Sequence, residues 1–338
     1  MNLIFICSYL NVPNVIDAVE REKGDFRILT DDQGLLNFFA DIYGRENVIK
    51  LPALFASFGN IKGFCLDIVR SFKCKKQLLE VCRELKPTKI LFFFLGWNGL
   101  SSWLIKKLST NAEIFYQPEV NLDMLKANSS ARLRIKTLLA SSIFGIKYKS
   151  ASYYGYPMIA IDQSFLDRVN AQRLECSIEP NKFRKLVQAK FLYSRKIDVL
   201  LLTGGMYNVD EEEYREKMQE VFEILASVCD PANICIKSHP NFPVVEFDFA
   251  EQCFVAAVES PANILCYASK CVIGYDSATL YEAADLGLTS ICLVNIIPTN
   301  ASGQKERISA YLLDNCTSQN ILFPQDLDEL NNLLTQLS

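Results

Sequence analysis

Six short stretches of this chain carry residue types able to do chemistry. The segment Lys237-Ser238-His239-Pro240 holds the only histidine. Near neutral pH an imidazole can donate a proton or hydrogen-bond a phosphoryl oxygen, and the proline stiffens the loop presenting it. Thr203-Gly204-Gly205 puts a hydroxyl before two glycines, which let backbone N–H groups approach a phosphate closely. Neither a Walker loop nor a G-x-G-x-x-G fingerprint follows. In Tyr275-Asp276-Ser277-Ala278-Thr279, Ser277 and Thr279 open a helix, where free N–H groups and the dipole favour an anion. Asp276 or Ser277 can equally cap that helix, with Glu282 closing a capping box. Gln117-Pro118-Glu119-Val120-Asn121 offers Glu119 as a general base if its surroundings raise its pKa. Ser8-Tyr9 and Gly96-Trp97-Asn98-Gly99 supply a hydroxyl, an aromatic face and an amide, a set suited to sugars. Each stretch also has a plain structural reading, as a turn, a cap, a core ring or an exposed loop acid.

What links them is their position. Apolar runs at Leu3–Cys7, Phe26–Leu29, Val48–Leu51, Lys89–Phe94, Glu113–Tyr116, Asp198–Leu202, Asn233–Lys237, Cys271–Gly274 and Ser290–Val294 read as strands. Helical patterns lie between them at Gly34–Tyr43, Lys62–Leu85, Gly99–Leu108, Glu211–Val228, Ser277–Leu286 and Leu327–Leu337. Strands apolar on both faces and alternating with helices predict parallel sheets covered on both sides. The rhythm breaks between about Asn121 and Lys196, where a basic and aromatic stretch from Arg132 to Tyr156 precedes a polar helix near Pro180–Tyr193. The expectation is an α/β fold of two Rossmann-like parallel-sheet domains facing a cleft. Their bounds are residues 1–155 and 190–338, with an irregular linker over 156–189 and a last helix returning to the first domain. Ligands of such sheets bind beyond the carboxyl ends of the strands, and every stretch named above falls at one.

Bulk properties narrow the class. The chain has 338 residues, 22% of them charged, and a net charge of −4, which argues against a nucleic-acid partner. Its twelve cysteines are scattered singly with no C-x-x-C, and one histidine cannot complete the usual zinc sets. Reduced thiols in a cytoplasmic protein are expected. The amino terminus lacks a basic n-region, and no apolar run approaches the ~20 residues that span a bilayer. The stretch Arg132–Tyr156 is a candidate contact for an anionic acceptor or a membrane surface, which would make the protein peripheral at the inner face of the cytoplasmic membrane.

"KSHP", followed about thirty residues later by an apolar strand and "GYDSATLYEAADLG", resembles the carboxyl-terminal domain of GT-B glycosyltransferases. More narrowly, it is similar to the bacterial lipooligosaccharide sialyltransferase and polysialyltransferase group. The resemblance implies an inverting, metal-independent transfer of a sialic-acid-like sugar from a CMP-activated donor to a hydroxyl of a cell-surface glycan. It implies that His239 hydrogen-bonds or protonates the departing phosphate. Thr203, Gly204, Gly205, Lys237, Pro240, Ser277 and Thr279 would hold the nucleotide, and Ser8, Trp97, Asn98 and Gln117 the acceptor. No cofactor is expected beyond the donor itself. The family's acidic-acidic-Gly motif would lie at Gln117-Pro118-Glu119-Val120, which has one acid and no glycine; Glu119 falls on its second acidic position. A polyol-phosphate transferase, a UDP-sugar transferase or epimerase, and a non-catalytic nucleotide-binding protein share the same pattern.

Overall fold

The computed structural model describes residues 1–22, 24–51, 61–93, 99–117, 124–174, 180–190, 195–204, 209–239 and 245–336, with backbone alone at 61–71, 101, 156 and 190. The chain divides into two compact units, Met1–Ser177 and Ile178–Ser338.

The first unit runs β1 (Asn2–Ile6), α1 (Val12–Glu22), β2 (Phe26–Thr30), α2 (Gln33–Tyr43), β3 (Val48–Lys50), α3 (Ile61–Leu85), β4 (Lys89–Phe93), α4 (Gly99–Leu108) and β5 (Glu113–Tyr116). It continues with β6 (Lys126–Ala127), α5 (Ala131–Phe144), β7 (Tyr148–Tyr153), β8 (Tyr156–Ile161), α6 (Gln163–Arg168) and β9 (Gln172–Arg173). Six strands pair in parallel in the order β3-β2-β1-β4-β5-β9. Leu3, Ile4, Phe5 and Ile6 of the central β1 are buried on both faces, which explains its unbroken apolar run. A separate antiparallel sheet, β6-β7-β8, turns at Tyr154 and Gly155 with φ of 45° and 84°. Two successive positive φ values match a two-residue turn that follows strand twist, and glycine supplies one of them without strain.

The second unit holds α7 (Pro180–Lys190), β10 (Val199–Thr203), α8 (Glu211–Val228), β11 (Ile234–Ser238), β12 (Phe254–Val255), α9 (Ala262–Leu265), β13 (Cys271–Gly274), α10 (Thr279–Asp285), β14 (Thr289–Cys292), α11 (Gln304–Asn315), β15 (Ile321–Leu322) and α12 (Leu327–Thr335). Its sheet, β12-β11-β10-β13-β14-β15, is parallel and repeats the strand order of the first. Sequence places α8 clearly. Asp210 Oδ1 accepts from the N–H groups of Glu212 and Glu213 at 3.0 and 3.2 Å, and three glutamates fill the positive first turn. Tyr214, Met218, Val221, Phe222 and Leu225 then recur on one buried face.

Two Rossmann-like sheets are therefore present, but the boundary differs from the expectation. Residues 156–189, read as an irregular linker, contain β8, α6, β9 and most of α7. The unit boundary falls after Ser177 because β8 pairs with β7 and β9 extends the first sheet. The last helix, expected to return to the first domain, packs on α8 of its own unit and buries Leu330 and Leu334. Its apolar face is satisfied there. No disulfide joins the ten described cysteines. Among the described residues, no helix is long and apolar enough to cross a membrane.

Candidate functional site at the carboxyl edge of the second sheet

In this strand order the chain leaves β10 for one side of the sheet and reaches β13 on the other, so a crevice opens between their carboxyl ends. Register fixes what borders it. Leu202 lies between Lys237 and Gly274, and Thr203 lies beside Ser238. The Thr203 and Ser238 hydroxyls are 3.4 Å apart, and both side chains are buried.

His239 is the first residue past β11, half-buried, with its N–H donating to Thr203 O at 2.9 Å. The backbone of β10 must yield to let it in. Gly204 has φ of +131°, and a Cβ built there would stand 2.6 Å from His239 Cβ. No L-residue takes that backbone without strain, so the glycine serves His239. The Gly204 N–H, which the sequence offered to a phosphate, donates instead to Tyr214 Oη at 3.2 Å. Tyr214 is fully buried, and burial pushes its hydroxyl up to about 12. It is a site residue that sequence reading missed, since it looked like one more apolar position of α8.

Lys237 is 3% exposed. Its ammonium donates to the carbonyls of Ser238 and, at 3.1 Å, of Val258, tying the loop after β12 to the end of β11. Burial brings its pKa down to about 8, leaving it mostly charged at neutral pH. Burial also lowers the pKa of His239, and the Lys237 charge lowers it further, so the imidazole is neutral at pH 7. Lys237 therefore acts on this edge through charge and position, from beneath it.

Past β13, Ser277 Oγ accepts from the Thr279 N–H at 3.3 Å, while the Thr279 side chain is buried. Tyr275 packs inward and its hydroxyl accepts from Gln304 Nε2 at 3.1 Å. Burial lifts the Asp276 carboxyl to about 6, against the pull of Arg307. Glu282 forms no capping box. Asn263 Nδ2 donates to its Oε1 at 3.4 Å, and its Oε2 is sealed from solvent with no hydrogen bond among the described residues. Burial raises its carboxyl to about 8, so it is protonated at neutral pH. Such a group can both donate to and accept from a ligand hydroxyl. The edge thus presents a neutral imidazole and hydroxyls over a buried cation.

No family model matches the chain, and no curated protein matches it at a significant level. The chain is similar to several solved structures, each at a TM-score under 0.5. The UDP-GlcNAc 2-epimerase of Methanocaldococcus jannaschii is 16% identical, with 100% of this chain and 92% of that one covered at a TM-score of 0.46. A heptosyltransferase of Escherichia coli is 11% identical, covering 100% of both chains at 0.42. MurG of Acinetobacter baumannii is 11% identical, covering 99% and 89% at 0.41. At such identities, donor, acceptor and chemistry rest on the residues themselves.

In the first unit, Ser8 follows β1 and its Oγ accepts from the Leu10 N–H at 3.3 Å, starting a short 3₁₀ turn. Gln117 is half-buried past β5, its N–H on Phe92 O at 3.0 Å. Asp32 caps α2, with Oδ1 accepting from Leu35 N–H at 2.8 Å and from Tyr9 Oη at 3.0 Å. Its neighbour Asp31 differs. Burial raises the Asp31 carboxyl above the ordinary range, opposed by a hydrogen bond from Cys7 and the charge of Lys50. Of the two neighbouring aspartates, only Asp32 caps the helix. Trp97, Asn98, Pro118, Glu119, Gly205 and Pro240 lie outside the described residues. Among the described residues, no group of three or more His, Cys, Asp or Glu could hold a metal ion.

Proposed function

We propose that this chain is a glycosyltransferase that moves a sialic-acid-like sugar from a CMP-activated donor to a hydroxyl of a cell-surface glycan such as lipooligosaccharide, O-antigen or capsule, with inversion at the anomeric carbon. The observation carrying this reading is the carboxyl edge of the second sheet. His239 is seated there by Gly204 and kept neutral beside a buried Lys237, at the strand ends that carry the Thr203 and Ser238 hydroxyls, with Ser277 past the end of the neighbouring β13. Those groups suit a nucleotide phosphate that gains charge as it leaves. In the reaction the acceptor oxygen bonds to the anomeric carbon, and the bond from that carbon to the phosphate oxygen breaks. The electron pair goes to CMP, where His239 meets it. The acceptor proton goes to Glu119. Thr279 and Lys237 support the edge from inside. Ser8, Trp97, Asn98 and Gln117 remain the acceptor-side candidates, and the reaction calls on no metal or cofactor. The protein would act in the cytoplasm.

Asp31 is a second candidate base, favoured by its raised carboxyl at the end of β2. Activity of Glu119→Ala, Asp31→Ala and His239→Ala on a CMP-sugar separates them: a general base or acid is worth about 10²–10⁴-fold. The donor is tested by thermal shift with CMP, CDP, UDP and GDP, because a ligand binding only the native state raises the melting temperature. If CMP stabilises no more than UDP, the CMP donor is wrong and a UDP-sugar transferase or epimerase replaces it. If no nucleotide stabilises, the transferase reading falls altogether.

A further inference from the structure

A second surface stands out in the first unit. From Met124 to Ile161 the sequence has no aspartate or glutamate, yet it has six cations: Lys126, Arg132, Arg134, Lys136, Lys147 and Lys149. This occurs in a chain with 39 acids and a net charge of −4. The centre of the stretch is α5, whose inner face buries Thr137, Ala140 and Phe144. Its opposite face is not polar. Ile135 is 58% exposed and Leu138 67%. At ~100° per residue, these two stand opposite the buried stripe, with exposed Arg132 on one side and Arg134 on the other.

The helix is anchored from below. Lys75 of α3 donates to Ile143 O at 2.8 Å while lying over the rings of Trp103 and Phe144, and Lys106 of α4 donates to Gly145 O. The Phe72 ring, 65% exposed, also lies against Lys75, and the charge of the exposed Lys107 is close enough to lower the Lys75 pKa. Lys147 has a long contact of 3.7 Å with Asp162, just beyond the acid-free stretch.

We propose that this face of α5 docks on an anionic lipid bilayer, with Ile135 and Leu138 entering the acyl boundary and the flanking arginines meeting headgroup charge. A helix with apolar residues outward and cations on both flanks is the arrangement that lies in a membrane interface. A soluble acidic glycan would attract the cations but gives no reason to expose Ile135 and Leu138. The remainder of the chain is net negative, so this stretch concentrates the attraction to an anionic surface.

The test is sedimentation of the full chain with vesicles of phosphatidylcholine alone and of phosphatidylcholine mixed with phosphatidylglycerol. Binding is expected only to the mixed vesicles, weakening as salt is raised. Ile135→Ser with Leu138→Ser should lower the partition about tenfold or more, and so should Arg132→Glu with Arg134→Glu. All four positions are exposed or outward, so both variants should keep the wild-type melting temperature, which is measured alongside. The proposal is overturned if the wild type ignores both vesicles, or if the serine pair partitions like the wild type. It is equally overturned if the serine pair only turns an oligomer into a monomer, which would make a second copy the occupant.

Discussion

A histidine at the edge of a parallel sheet is useful at neutral pH only when its charge state is set, and here burial and Lys237 set it. His239 titrates below its ordinary value. A depressed folded pKa means that its contribution to stability is present above about 6.5 and lost as the pH falls through the folded value. Because it is the only histidine, its imidazole proton gives one unambiguous NMR signal. That signal should titrate below 6.5 in the free chain and move upward with saturating CMP, whose phosphate favours the imidazolium. A midpoint indifferent to CMP would remove His239 from the phosphate. Glu282 runs the other way. Its folded pKa near 8 exceeds the ordinary 4.5, so its contribution is whole below the ordinary value and vanishes as the pH climbs through 8. Glu282→Gln keeps a neutral side chain of the same shape. Melting curves should therefore show the variant gaining on the wild type steadily from about pH 5 to about pH 9.

At the scale of elements, the site depends on how closely β10 and β11 approach at their ends. Gly204→Ala places a methyl group against His239 Cβ and demands a backbone that alanine avoids. A loss of about 1–3 kcal/mol in stability is expected, together with weaker CMP binding, read by denaturant melts and thermal shift. Tyr214→Phe removes only the oxygen that accepts from Gly204 N–H. About 1 kcal/mol should be lost, with His239 left in place and most activity retained. Were Tyr214→Phe as inactive as Gly204→Ala, the phenolic oxygen would have a chemical role. Legibility followed the strength of the local signal at this scale. The helix at 211–228 could be read to the residue because an aspartate cap, an acidic first turn and a regular apolar face agree. The hairpin of β7 and β8 could not, because its turn carries a single glycine, preceded by a tyrosine instead of Asn, Asp or Gly, inside an aromatic run. The helices at Val12–Glu22 and Gln304–Asn315 were also missed; the first opens on Val12-Pro13 and the second follows a lone glycine.

For the whole molecule, each unit has a sheet and a core of its own. Leu3, Phe5, Ile90 and Phe92 centre the first, while Leu200, Leu201, Ile236 and Ile273 are buried in the second. Two separate cores need not melt together. Calorimetry should resolve two transitions, and CMP should raise the one belonging to residues 178–338 while leaving the other nearly still. A single transition that moves as a whole would show that the units unfold as one.

The sequence by itself determined the two parallel sheets and the placement of Lys237, His239 and Ser277 at strand ends. Strands buried on both faces must be continuously apolar, and polar chemistry can begin only where they stop. It also held the charge imbalance of residues 124–161. Tertiary structure alone decided how those residues are used. It sent the Gly204 N–H to Tyr214, turned Lys237 inward onto two carbonyls, drew Glu282 toward Asn263, and left Ile135 and Leu138 facing out. Hydrogen-bond partners and burial depend on neighbours far away in the chain, which local spacing does not record.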